Sequence, residues 1–326
     1  MDRRSFLTVA AAWGVAGMQP LARAANDWPI KPLKIVCPYP PGGIVDIIAR
    51  LLGDQLSQSL GQPVIVESRA GAGGNIGTAY VARSRGDPYT LLLGASGPLA
   101  INVSLYDDLG YDVPRDFTPI SLLAATPLVL VTSPKSGIST VSQLLDRLRG
   151  ADRGAFYGSA GMGTPQHLAG ELFKQRTDTR AEHVAYKGGA PAVMALLSGE
   201  VLYAFETLAL VEPHLKSGDL VGLASTGDTR IPFFPELPTM MESGVADFVA
   251  RGWYGLLAPA DIPAEVAQRL NAETVKAARQ PVMRDKLASF GSDDVTNSTE
   301  AFRQFIADET QKWSAIVKAA NVRLDS

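Results

Sequence analysis

Two apolar rhythms alternate along this chain. Leu33–Cys37 is a short apolar run bounded by Pro32 and Pro38, which predicts a buried strand. After the turn Pro40-Pro41-Gly42-Gly43, the residues Ile44, Ile47, Ile48, Leu51, Leu52, Leu56 and Leu60 recur at helical spacing, and Gly61 is placed to end that helix. The alternation repeats. Val64–Glu67 predicts a strand, residues 69–74 a glycine-rich loop, and Asn75 the cap of a helix running through Ala79, Val81 and Ala82. Tyr89–Leu93 predicts a strand followed by the loop Gly94-Ala95-Ser96-Gly97-Pro98. Strand, glycine loop and helix in this order imply a parallel sheet with helices on its faces.

Pro119–Ser133 is long and apolar with Pro127 inside it, and reads as a segment crossing from one α/β unit to a second. In the second unit a helix is expected over 142–149. Ala155–Gly158 reads as a strand ending in the loop Ser159-Ala160-Gly161-Met162-Gly163. Thr164 is placed to cap the next helix, with Pro165 at its first position. Val184–Tyr186 is a further strand, Lys187-Gly188-Gly189 a turn, and 191–197 a helix; 201–205 and 220–225 complete the sheet. Val249–Pro259 reads as the return crossing, and helices over 264–279 and 299–320 are expected to pack back on the first unit. The expected class is α/β. Domain 1 is discontinuous, residues 25–126 and 254–326, and domain 2 spans 127–253, with two crossings and a cleft between. The glycine-rich loops then fall beyond the carboxyl ends of strands, where open α/β sheets bind ligands.

The first 24 residues stand outside this pattern. A charged start, a short alanine-rich apolar stretch and Ala22-Arg23-Ala24 describe an export signal cleaved before Ala25. Arg3-Arg4-Ser5-Phe6-Leu7 resembles the twin-arginine signal, with the ordinary Sec route as the alternative. Either route leads to the periplasm. Cleavage removes three arginines and one aspartate, so the mature chain is more acidic than the full chain's formal −3. No basic run offers a footprint for nucleic acid. The single cysteine, Cys37, excludes an internal disulfide and reads as a small buried strand residue.

Composition and motifs weigh against several chemistries without excluding a hydrolase triad. Gly71-Ala72-Gly73-Gly74-Asn75-Ile76-Gly77 misses the dinucleotide-binding register, because Ile76 stands where the third glycine belongs. Neither Ser96 nor Ser159 sits in a complete nucleophile elbow. Of the three histidines, His167 reads as a surface or helix-end residue rather than a general base. No metal-binding or phosphate-loop motif is present, so neither metal nor cofactor is expected. What remains is anion binding by backbone N–H groups at helix starts, after Gly42-Gly43, Gly74-Asn75, Gly163-Thr164 and Gly188-Gly189.

Pro38-Tyr39-Pro40-Pro41-Gly42-Gly43 with Asp46 and Ala49-Arg50 resembles the opening signature of the tripartite tricarboxylate transporter substrate-binding receptors of the Bug type. Further matches run in order through Gly71–Gly77, Tyr89–Leu92, Gly163-Thr164 with His167–Glu171, Tyr186-Lys187-Gly188, Pro213-His214 and Ala258-Pro259. The resemblance implies a type II periplasmic-binding-protein fold, no catalysis, and a small mono- or dicarboxylate ligand. It implies a carboxylate pocket built from Tyr39, Gly43, Asp46, Gly74, Asn75 and Ile76, with Ser96 beside it. The far side would use Ser159, Thr164, Tyr186, Lys187 and Glu206. Asp46 reads as a helix cap rather than an anion ligand, since like charges repel. Glu206 stands where the family often has Asp, which leaves two roles open, pairing with a ligand amine or accepting backbone hydrogen bonds. The implied partners are the transporter's membrane subunits or a sensor protein, and a monomer is expected. The competing readings are an α/β hydrolase or isomerase and a receptor serving signalling rather than uptake.

Overall fold

The computed structural model describes residues 28–150, 155–292 and 294–322; the expected export signal lies outside them. The first lobe opens with β1 (Leu33–Cys37), α1 (Ile44–Leu60), β2 (Val64–Ser68), α2 (Asn75–Ala82) and β3 (Thr90–Ala95). Val45, Ile48, Leu52, Leu56 and Leu60 form the buried face of α1. Gly61 closes it at φ 70°, the left-handed turn that glycine adopts without a Cβ penalty. A π-helical turn over Gly97–Ile101 and the short α3 (Val113–Asp116) lead into β4 (Phe117–Thr132). β1 is parallel to β2 and β3.

β4 is the outward crossing. It pairs antiparallel with β9 (Arg251–Pro259) from Phe117 to Pro127, then leaves β9 and pairs with β7 (Tyr203–Thr207) and β8 (Val221–Ser225). The second lobe adds α4 (Val141–Arg149), β5 (Ala155–Ser159), α5 (Pro165–Thr177), β6 (Ala181–Ala185), α6 (Gly189–Ser198) and α7 (Leu208–Ser217). β5 is parallel to β6 and β7. The strand order is β2-β1-β3-β9-β4-β7-β5-β6, with β8 on β4. The local α/β units are thus parallel, and the two crossings make the whole sheet mixed. The result is two α/β lobes joined by two crossing segments.

Thr226 fastens the two crossings together. Its hydroxyl accepts from the Leu128 N–H at 2.8 Å, its N–H donates to Leu128 O at 2.9 Å, and its carbonyl accepts from the Ala250 N–H at 3.1 Å. Pro127, which has no N–H to lose, marks the point where β4 changes partners.

The chain ends in α8 (Ala264–Ala278), α9 (Pro281–Ser289) and α10 (Thr299–Ala320). α8 packs on α1 and β4, as expected. α10 departs from the expectation: it lies against the first lobe and also against α5 of the second. Its Glu309 accepts from the indole N–H groups of Trp253 at 3.0 Å and Trp313 at 2.9 Å, tying it to β9. The apolar spacing does not reveal α7 or α9, each of which buries only two residues. Cys37 is buried, as expected. Among the described residues no helix is long and apolar enough to cross a membrane.

Candidate ligand-binding site

Three loops of the first lobe meet at one aromatic ring. Tyr39, two residues beyond β1, donates its hydroxyl to Gly73 O at 3.1 Å. A Cβ on Gly74 would lie 3.2 Å from the Tyr39 ring, and one on Gly97 would lie 2.9 Å from its hydroxyl. The loops after β1, β2 and β3 are therefore packed to contact at Tyr39, and glycine is what permits it. Gly74 also has φ 98°, a conformation a side chain would resist. Burial pushes the Tyr39 phenol well above its ordinary pKa, so it remains a donor.

The start of α1 is open. Its first helical bond runs from the Ile47 N–H to Gly43 O at 3.0 Å. Among the described residues nothing accepts from the N–H groups of Ile44, Val45 and Asp46, which precede it. Asp46 is buried and occupied: it accepts from the Gly42 N–H at 3.0 Å and pairs with Arg50 at 2.9 Å. The Arg50 guanidinium holds this carboxyl below the usual range. That agrees with a helix-start role rather than an anion ligand. Gly43 is exposed at φ −80°, an ordinary extended angle; Gly42, at φ 86°, is the residue that requires glycine.

The start of α2 is largely closed, contrary to expectation. The N-cap is Gly74, not Asn75. The Gly74 N–H donates to Gly71 O at 3.0 Å, and the Asn75 N–H donates to Ala72 O. The Asn75 carboxamide oxygen accepts from Asn102 at 2.7 Å and Tyr111 at 3.1 Å, turning the side chain into the protein. Ile76 stands 55% exposed on this loop, an apolar surface beside polar backbone. Ser96 is buried after β3, next to Gly97.

The second lobe assembles a separate set. Thr164 caps α5 as expected, accepting from the His167 N–H at 3.3 Å, and it donates to Gly161 O at 2.7 Å. Ser159 is buried, with its Oγ 2.6 Å from His183 Nε2, a pairing the sequence did not reveal. His167 is buried rather than on the surface. It stacks on His183 with ring centroids 4.0 Å apart and accepts from the Gly163 N–H. Desolvation pushes both imidazoles down, His167 to about 4 and His183 to about 3. Tyr186 follows β6, its N–H donating to Ser159 O at 3.0 Å, and Lys187 beyond it is exposed. Glu206, near the end of β7, is wholly buried, and burial pushes its carboxyl up to about 7.

Tyr39, Gly74 and Ser96 with its neighbour Gly97 thus form one group. Ser159, Thr164 and Tyr186 form another, with Glu206 on the adjoining strand. Among the described residues no hydrogen bond joins the two sets. A cavity of about 660 Å³ between α4, α7 and β8 is lined by none of these residues. It lies away from the carboxyl ends of β1, β3 and β5, where the loop chemistry converges.

The sequence model of the tripartite tricarboxylate transporter family receptor matches residues 48–322. Protein BugT of Bordetella pertussis is 37% identical over 302 residues, covering 92% of this chain and 93% of that protein. The structure of R. palustris Rpa4515 with adipate superposes with a TM-score of 0.83 at 31% identity, covering 92% of this chain and 100% of that one. MatC (Rpa3494) from Rhodopseudomonas palustris with bound malate gives 0.78 at 28% identity, covering 89% and 100%.

Proposed function

The chain belongs to the tripartite tricarboxylate transporter receptor family, a family of periplasmic solute-binding receptors and not of enzymes; on that premise we propose that it captures a small organic carboxylate through backbone N–H groups and closes around it. One observation carries this reading: the loops after β1, β2 and β3 converge at Tyr39 beside an α1 start whose first N–H groups are free. Free N–H groups and the positive end of a helix hold a carboxylate without a cationic side chain. The adipate and malate bound by two similar proteins support a carboxylate ligand. Ile76, with Met162 on the loop after β5, offers apolar surface for an aliphatic body.

In this reading Tyr39, Gly43 and the α1 start hold the carboxylate, with Gly74–Ile76 and Ser96 as walls. The second lobe closes with Ser159, Thr164, Tyr186, Lys187 and Glu206. The lobes are residues 25–126 with 254–326 and residues 127–253, and the hinge is the pair of crossings fastened by Thr226. The receptor acts as a monomer and hands its ligand to the membrane subunits of a transporter. Its export uses the twin-arginine route, which Arg3-Arg4 supports, and the mature chain starts near Ala25. Native mass spectrometry of protein purified from the periplasm tests the core of this reading. A co-purifying carboxylate whose saturation shrinks the small-angle scattering radius is expected. A saturating carboxylate with no compaction would refute closure, and failure to bind any carboxylate would refute the receptor reading.

A further inference from the structure

Glu206 is a buried carboxyl where an incoming ligand anion would be expected. It lies on the face of β7 that carries Ala204, opposite Val129 of β4, and is 0% exposed. The starts of three helices surround it. Thr207, the N-cap of α7, donates its N–H to Glu206 Oε2 at 3.3 Å. A Cβ on Gly189, the first residue of α6, would lie 2.9 Å from the same oxygen. The Gln166 side chain, from the first turn of α5, reaches the carboxyl as well. Oε1 has no hydrogen-bond partner.

Among the described residues no charged group balances this carboxyl. α6 and β4 carry no titratable side chain, and α7's Glu212 and Lys216 pair with each other. His167 of α5 is turned to Gly163 and His183, and Tyr203 of β7 is on the opposite face with Phe173. Lys187 is exposed. Helix starts attract anions, and here the protein supplies the anion itself. A second ligand carboxylate at this end would meet a like charge, whereas Oε1 is a free acceptor that lacks a donor. Thr207 pairs with Leu128 next to the point where β4 leaves β9, so Glu206 lies at the end of the second-lobe sheet that borders the crossings.

Resting on the receptor reading above, we propose that Glu206 is a specificity residue that accepts a hydrogen bond from a hydroxyl or ammonium group at the ligand end opposite the anchored carboxylate, and disfavours a second carboxylate there.

The test is calorimetric titration of the parent and of Glu206→Gln at about pH 8.5, where a carboxyl is ionised and an alkyl ammonium still charged. The probes are adipate and succinate, each with the ω-hydroxy and ω-amino acids of the same chain length. The parent is expected to bind a hydroxy or amino acid at least about tenfold tighter than the matched dicarboxylate, and Glu206→Gln to erase that preference. The tighter of the two arms tells hydroxyl from ammonium. Glutamine is isosteric, and circular dichroism confirms folding. A parent that prefers the dicarboxylate, or a folded Glu206→Gln with an unchanged preference, overturns the inference while leaving the receptor reading intact. A parent that binds none of these probes also overturns it; the receptor reading falls only if the mass-spectrometric search finds no carboxylate either.

Discussion

Gly43→Val separates binding from folding at the α1 start. Gly43 has φ −80° and ψ 171°, angles that valine adopts freely, and an added Cβ would meet only Pro40 O at 3.9 Å. The backbone accommodates valine, and because Gly43 is the N-cap, where valine ranks below glycine, stability is expected to fall by no more than about 1 kcal/mol. The new methyl groups instead occupy the space in front of the free N–H groups of Ile44, Val45 and Asp46. A hydrogen bond from a neutral donor to a charged acceptor contributes about 1.5–3 kcal/mol. Loss of two such bonds costs at least about 3 kcal/mol, on the order of a hundredfold or more in Kd. Gly42→Ala is the counter-test. At φ 86° with open space around it, its cost is backbone strain, so it is expected to lower stability by about 1 kcal/mol. Calorimetric titration with the co-purified carboxylate, alongside urea melts, reads both effects. If folded Gly43→Val binds like the parent, the carboxylate is not held at α1.

Three further outcomes follow from the buried polar groups. His167 and His183 titrate in the fold well below their ordinary 6.5, so the unfolded chain takes up protons first. Their stabilisation is complete above that value and lost as pH falls toward about 4 and 3; urea midpoints that rise on acidification through this window would contradict it. Glu206 has the opposite sign: raised from 4.5 to about 7, it costs stability only as pH climbs through that range. Glu206→Gln should thus match the parent below 4.5 and exceed it above 7 in thermal melts, with equal melting temperatures at both ends refuting the burial argument. Thr226→Val removes the hydroxyl that accepts from the Leu128 N–H, and should cost about 1–3 kcal/mol in urea unfolding. An unchanged midpoint would mean that this hydroxyl does not fasten the crossings.

What could be read from the sequence is what neighbouring residues decide. Gly61 ends α1 and Thr164-Pro165 begins α5 through contacts within a few positions, and both stand as expected. The two crossings were visible because long apolar runs without glycine loops had no place in the alternating units. α7 leaves no readable period, because Pro213 interrupts it and only Leu208 and Val211 are buried. α9 buries only Met283 and Leu287, too few positions for a period to emerge.

The site shows the same division more sharply. The loops were found by their place after strands, yet which of their atoms are free depends on distant partners. Asn75 has a good capping side chain, but Asn102 and Tyr111, 27 and 36 residues away, hold its carboxamide, so Gly74 takes the cap position. Ser159 meets His183 across 24 residues because β5 and β6 are neighbours in the sheet, which no local pattern announces. The two helix starts of the first lobe look alike in sequence, each a pair of glycines before a helix. They differ in the fold because the chain at Gly71–Gly74 doubles back, with Gly71, Gly73 and Gly74 all at positive φ, and its own carbonyls take the N–H groups. At α1 the helix begins directly from extended backbone at Gly43, and the first N–H groups are left over. A glycine pair therefore marks a possible anion site, and the turn made by those glycines decides whether the donors face a ligand or the protein itself.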